Sequence, residues 1–170
     1  ADEAVLHSYN MVFRLSILIT TFGILLAVLI VEFVAPLILK NGATVAQAQS
    51  EQEIRDWYQI LSRLYREKVR TPLFSEDFFL QFYRNGVGKY LLVKYEGKVI
   101  GGMMCPVLEG KAVYEWDVCG MDEEYRELYP SVVATHAAIE YAKQNDIPLF
   151  DFMGAGEPDV PYGVRDFKME

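Results

Sequence analysis

The sequence predicts an α+β domain, a mixed sheet with flanking helices, preceded by a long hydrophobic helix. Three observations predict it. Two capped amphipathic helical patterns come first, followed by three alternating apolar runs joined by tight turns, which read as antiparallel strands. A further helical pattern then leads to a short apolar strand, the layout of helices packed on a mixed sheet. Ahead of all this, residues 15–39 form a nearly continuous apolar run.

That run reads LSILITTFGILLAVLIVEFVAPLIL, with Glu32 its single charge. At about 1.5 Å per residue, a helix of this length crosses a hydrocarbon core of about 30 Å. It has no polar face, which disfavours a helix lying along the membrane surface. Residues 1–40 are therefore expected to be a hydrophobic helix that anchors the chain in a membrane. Arg14 precedes the run and Lys40 and Arg55 follow it, which favours a cytoplasmic domain; a cytoplasmic chain without an anchor is the alternative. A cleaved signal peptide is a second reading, with residues 11–14 as its basic start and Ala46-Gln47-Ala48 as its cleavage site. A buried core helix is a third.

Residues 41–50 are small and polar and read as a linker. Ser50 and Glu53 have the spacing of a capping box, in which the serine accepts from a backbone N–H and the glutamate reaches back. The helix they open places Ile54, Trp57, Tyr58, Leu61, Leu64 and Tyr65 on one face and ends before Thr71-Pro72. Its other face carries Arg63, Arg66 and Arg70, with Lys68 alongside, either a solvated face or a phosphate contact. Ser75 caps a second helix, with Phe78, Phe79, Phe82 and Tyr83 buried and Asn85-Gly86 as its stop. Strands follow at 90–95, 99–107 and 112–119. Glu96-Gly97-Lys98 is a hairpin signal, and Glu109-Gly110 is a second turn. The third helix covers 131–143 with Pro130 in its first turn, and 149–153 is the last strand.

Composition excludes several functions. The chain has 170 residues, 24 acidic against 16 basic, and nearly all of its net charge of −8 lies beyond residue 40. Such an acidic domain does not bind nucleic acid by bulk charge. His7 and His136 are the only histidines, which excludes most multi-histidine metal sites, and no metal ligand is assigned. Cys105 and Cys119 lie in strand patterns and are expected to be buried and reduced. No nucleotide-binding loop, zinc pattern or Ser-His-Asp arrangement is present.

The end of the chain carries the most chemistry. The apolar strand at 149–153 runs into Gly154 and Gly156, where backbone can approach a ligand closely. Arg165 and Lys168 add positive charge beside that turn. The element order resembles the Gcn5-related N-acetyltransferase fold. Within it, residues 51–168 resemble the carboxyl-terminal domain of the Fem family, the FemAB-like peptidoglycan aminoacyl transferases. The residues that carry this resemblance are Trp57-Tyr58, Tyr65-Arg66 and Arg70-Thr71-Pro72 in the first helix region. Gly97-Lys98-Val99-Ile100-Gly101-Gly102 in the hairpin and Tyr129 add to it. Phe150-Asp151-Phe152-Met153-Gly154 and Gly163-Val164-Arg165-Asp166-Phe167-Lys168 are the more specific part.

The resemblance implies transfer of an acyl or aminoacyl group to an amine. The donor would be an aminoacyl-tRNA or a related acyl carrier, the acceptor a cell-wall precursor, and a second acetyltransferase-like domain a possible partner. It places Phe167 and Lys168 at the transfer site. The chain stops two residues after Lys168, ahead of a closing strand expected in relatives, so residues 51–170 are read as a domain incomplete at its C-terminus.

Acyl transfer needs a route for the amine proton and a positive group facing the oxyanion. Lys168 suits the second role as catalytic residue. Phe167, Arg165, Asp151, Gly154, Tyr129 and Trp116 are the substrate-binding candidates. Arg165 suits a carboxylate or phosphate; Asp151 would position an amine or Lys168, or form a salt bridge. Tyr129 would donate to substrate, and Trp116 is either core or a substrate wall. His136 is read as packed or solvated within its helix. In acetyl-CoA enzymes of this fold a Gly-rich loop holds the pyrophosphate at a helix N-terminus. Here residues 121–130 contain no glycine and four acids, so no coenzyme is expected. The resulting expectation is an acyl or aminoacyl transferase module acting on an amine of a cell-envelope precursor. The alternatives are a non-catalytic membrane-anchored binding module and a coenzyme A-dependent N-acetyltransferase.

Overall fold

The computed structural model describes residues 42–154. Strand β1 (Ala43–Gln47) is followed by helix α1 (Glu51–Leu64), a π-helical turn (Tyr65–Val69) and helix α2 (Glu76–Arg84). Strands β2 (Gly88–Tyr95), β3 (Lys98–Leu108), β4 (Ala112–Tyr114) and β5 (Asp117–Gly120) come next. A 3-10 turn (Arg126–Leu128), helix α3 (Pro130–Gln144) and strand β6 (Leu149–Asp151) complete the order. The sheet runs β1-β2-β3-β4-β6, with β5 also paired to β3. All pairs are antiparallel except β4 with β6, which is parallel. The mixed sheet and flanking helices are those expected.

The helices begin where the sequence places them. Ser50 Oγ accepts the Glu53 N–H at 3.3 Å, while Glu53 reaches back to the Gln49 N–H at 2.8 Å, one residue earlier than a capping box requires. Ser75 accepts from the Phe78 N–H in the same way at α2. Pro130 occupies the first turn of α3. The β2–β3 hairpin turns on Glu96 and Gly97, both at positive φ, the conformation of a two-residue turn that matches strand twist.

Two apolar layers sandwich the sheet. Leu91, Val93, Met103, Cys105 and Val113 pack against Val133, Ala134 and Ala138 of α3. On the opposite face Tyr90, Leu92 and Met104 pack against Ile54, Trp57 and Leu61 of α1 and Phe79 of α2. Trp57 is fully buried, with the rings of Phe79 and Tyr90 edge-on at 5.3 and 5.2 Å. Both cysteines are buried and free, and burial pushes the Cys105 thiol up to about 12.

Two expectations are corrected. The segment read as a linker, 41–50, contributes β1, which pairs with β2 from Ala43↔Tyr95 to Gln47↔Leu91. The pairing buries Ala43 and continues to Ala48, whose N–H donates to Tyr90 O at 2.9 Å. Cleavage after Ala46-Gln47-Ala48 would remove this strand from the sheet, so the signal-peptide reading loses its support. The run 112–119 is also not one strand, for reasons that shape the site. Among the described residues no helix is long and apolar enough to cross a membrane. The hydrophobic run at 15–39 lies outside the described residues.

Candidate active site

Strands β4 and β5 are separated by a bulge. Leu108 opposes Ala112 and Val107 opposes Val113, but Met104 opposes Asp117. Two residues of β3, Cys105 and Pro106, therefore face three on the other side, Tyr114, Glu115 and Trp116. Pro106 has no N–H to give to a ladder, which suits a bulge position. One extra residue reverses the alternation beyond it. Val113 and Glu115 share the face toward α3, whereas Asp117 and Cys119 face α1.

The bulge is also where the sheet splays. Strand β6 follows β4 through Tyr114↔Asp151, and the Glu115 N–H donates to Asp151 O at 2.9 Å. Beyond that bond β5 continues along β3, and its outer edge carries no strand among the described residues. Because the Met121 N–H donates to Ile100 O, alternation turns the N–H and C=O of Val118 and Gly120 away from β3. They line a cleft of about 790 Å³ between that edge, the end of α1 with its π-helical turn, and the start of α3. Ile60, Leu64 and Val69 form its apolar wall, and Glu115, Ser131 and Thr135 supply polar groups near its floor.

Two buried carboxylates flank this edge. Glu115 and Asp117 are each 5% exposed. Asp117 accepts the Tyr65 hydroxyl at 2.9 Å. Burial raises its carboxyl above the ordinary range, and the Tyr65 hydrogen bond opposes the shift. Tyr65 opens the π-helical turn, a local geometry often found at functional sites. Neither acid was a candidate from sequence. The available signal was a pair of charges, Glu115 and Asp117, inside an otherwise apolar strand pattern.

Arg63 of α1 and Arg66 and Lys68 of the π-helical turn have defined partners. Arg63 pairs with Glu124 at 2.7 Å and Lys68 with Glu123 at 2.8 Å, linking the cleft's two sides. Arg66 pairs with its neighbour Glu67. The Lys68 ammonium lowers the Glu123 carboxyl, and the carboxylate raises the lysine in return.

The sequence candidates fall in different places. Trp116 is the extra bulge residue and 46% exposed, so the core reading is corrected, yet it does not line the cleft. Tyr129 precedes α3 in a left-handed conformation (φ 43°), is exposed, and also lies outside the cleft lining. Asp151 holds the splay point: its C=O accepts from Glu115 and its carboxylate accepts the Met153 N–H at 2.7 Å. A Cβ at Gly154 would meet no described atom within 4 Å. His136 is half-buried and lines a second groove, between α3 and β1. Arg165, Phe167 and Lys168 lie outside the described residues.

At the β4–β5 bulge the sheet parts beside a buried carboxylate and the start of α3. The family model described as an acetyltransferase (GNAT) domain matches residues 39–169, and the chain belongs to that family. No curated protein matches it. The chain resembles the aminoglycoside acetyltransferase meta-AAC0020 from an uncultured soil metagenomic sample, solved with sisomicin. That match has 14% identity and a TM-score of 0.58 and covers 76% of this chain and 87% of that one. The ribosomal-protein-alanine N-acetyltransferase of Brucella melitensis biovar Abortus 2308 aligns at 12% identity over 74% of this chain and 86% of its own, with a TM-score of 0.54. Ard1 from Thermoplasma volcanium aligns at 13% identity over 75% and 80%, also at 0.54. At such identities the likeness establishes the fold. The Fem-type branch is a finer assignment that these matches do not carry.

Coenzyme A, the acyl carrier that the fold family implies, meets a specific obstacle. Its pyrophosphate would need the N–H groups at the start of α3. Here the Ser131 N–H already donates to Asp122 Oδ1 at 3.0 Å. The start of α3 does not fit a pyrophosphate.

Proposed function

We propose that this chain transfers an acyl or aminoacyl group to an amine bound in the cleft at the β4–β5 bulge. The observation that carries the reading is the splay of β5 from β6 at Glu115, in a chain of the acetyltransferase (GNAT) family. In this reading an acyl ester or thioester lies along the open edge of β5, its carbonyl oxygen accepting from the backbone N–H groups of Val118 and Gly120. The amine attacks the acyl carbon, a C–N bond forms, and the bond from carbon to the leaving oxygen or sulfur breaks. Glu115, a buried carboxylate that lines the cleft, takes the amine proton. Lys168, assigned from the resemblance to Fem-type enzymes, faces the developing oxyanion, and Phe167 and Arg165 hold the substrate. The same resemblance supports an aminoacyl donor and a cell-envelope amine as acceptor.

The family match also supports a second reading, a coenzyme A-dependent N-acetyltransferase. That reading requires Asp122 to leave Ser131. Transfer assays on the full-length chain separate the two, using acetyl-CoA in one arm and an aminoacyl-tRNA in the other, each with a panel of amine acceptors. The first reading predicts turnover in the aminoacyl arm and a loss of about 10²-fold or more for Lys168→Ala, the scale of a lost oxyanion donor. Full activity of Lys168→Ala would remove that residue from the mechanism, and turnover confined to acetyl-CoA would establish the second reading.

A further inference from the structure

The start of α3 is a place where an anion would be favoured, because backbone N–H groups and the helix dipole point the same way. In this chain three features converge there. Asp122 lies two residues after β5 and turns its carboxylate back onto the Ser131 N–H. A Cβ added at Gly120 would fall 2.6 Å from Ser131 N and 2.9 and 3.0 Å from the two Asp122 oxygens, so strand end, helix end and carboxylate meet at one point. The nearest cations of α1 and its π-helical turn are engaged as well, Arg63 with Glu124 and Lys68 with Glu123. A diphosphate approaching this end of the cleft would meet a carboxylate at the helix and cations already neutralised.

We propose that Asp122 is a specificity-determining residue. Its carboxylate takes the position that a donor's diphosphate would occupy, so the cleft selects acyl donors whose polar handle lies elsewhere. The residue acts by exclusion. Glu123 and Glu124 reinforce it by occupying Lys68 and Arg63. The term donor rests on the acyl-transfer reading above, whereas the occupation of the helix end by Asp122 does not.

The test is calorimetric titration of inorganic pyrophosphate and of coenzyme A into the full-length wild-type chain, Asp122→Ser and Asp122→Asn. Serine frees the space beside Gly120. Asparagine keeps an oxygen for the Ser131 N–H and removes the charge. The wild type is expected to show no saturable binding in the micromolar range. Asp122→Ser is expected to bind both probes at least about tenfold more tightly, and Asp122→Asn at least about threefold, as relief of like-charge juxtaposition requires. Circular dichroism checks that each variant is folded, and if the serine variant is not, the asparagine variant decides. Micromolar coenzyme A binding by the wild type, or no gain in a folded variant, overturns the proposal. Turnover is read separately. A wild type that uses acetyl-CoA efficiently overturns the role of Asp122 and leaves acyl transfer standing. A chain inactive with every donor, whose Asp122→Ser variant binds pyrophosphate, overturns acyl transfer and leaves Asp122.

Discussion

Glu115 and Asp117 are two positions apart, yet they end on opposite faces of the sheet because Trp116 is the extra residue of a bulge. Their environments differ accordingly: Glu115 lines the cleft, and Asp117 is held by the Tyr65 hydroxyl beneath α1. Burial raises the Asp117 carboxyl, with the tyrosine hydrogen bond opposing. A carboxyl that titrates higher in the folded state binds its proton more tightly there. Its contribution to stability is complete below the unfolded value of about 3.9 and is lost as pH rises through the folded value. Asp117→Asn keeps an acceptor for Tyr65 and removes the ionisation. Thermal melts from about pH 3 to about pH 8 are therefore expected to show the variant gaining on wild type as pH rises through about 4 and above. A stability difference that does not change with pH would contradict the role given to burial. At this scale the sequence is only partly legible. It marks acids within an apolar run, but their faces depend on a register that β3 and its Pro106 set from a distance.

The elements are more legible because their signals are local. Ser50 and Ser75 begin α1 and α2 through bonds to backbone three residues on, and Glu96-Gly97 closes its hairpin within two residues. Strand β1 is missed for the converse reason. Its residues, Ala43-Thr44-Val45-Ala46-Gln47, are mostly small, and among the described residues they pair with β2 alone. The Asp122 bond to Ser131 spans nine residues and matches no capping pattern, so sequence shows the acids before α3 but not that one of them covers the helix end. Helix α1 is fixed to the sheet chiefly by Trp57, which is fully buried between Phe79 and Tyr90. Trp57→Ala is expected to cost about 3–5 kcal/mol, the range for large-to-small aromatic deletions in cores, read from the midpoint of urea unfolding. A loss below about 1 kcal/mol would mean that α1 is held by something other than this core.

At the scale of the molecule, the acidic surface and the fold act together. The net charge of −8 gives no general attraction for a polyanion, and the cations beside the cleft, Arg63 and Lys68, are paired with Glu124 and Glu123. Under the proposed reading, specificity for the acyl donor comes from the cleft and from the carboxylate at the start of α3. The fold class is legible from element order alone, whereas the gap between β5 and β6 emerges only when the sheet is assembled. Acyl transfer at this gap, with Glu115 as the proton acceptor, is the proposal on which the functional reading rests. It is tested most directly by comparing kcat/KM for acyl transfer by the full-length wild type and by Glu115→Gln, with the preferred donor and acceptor. A loss of about 10²-fold or more is expected, as for a general base. Glu115→Gln with undiminished kcat/KM would contradict it.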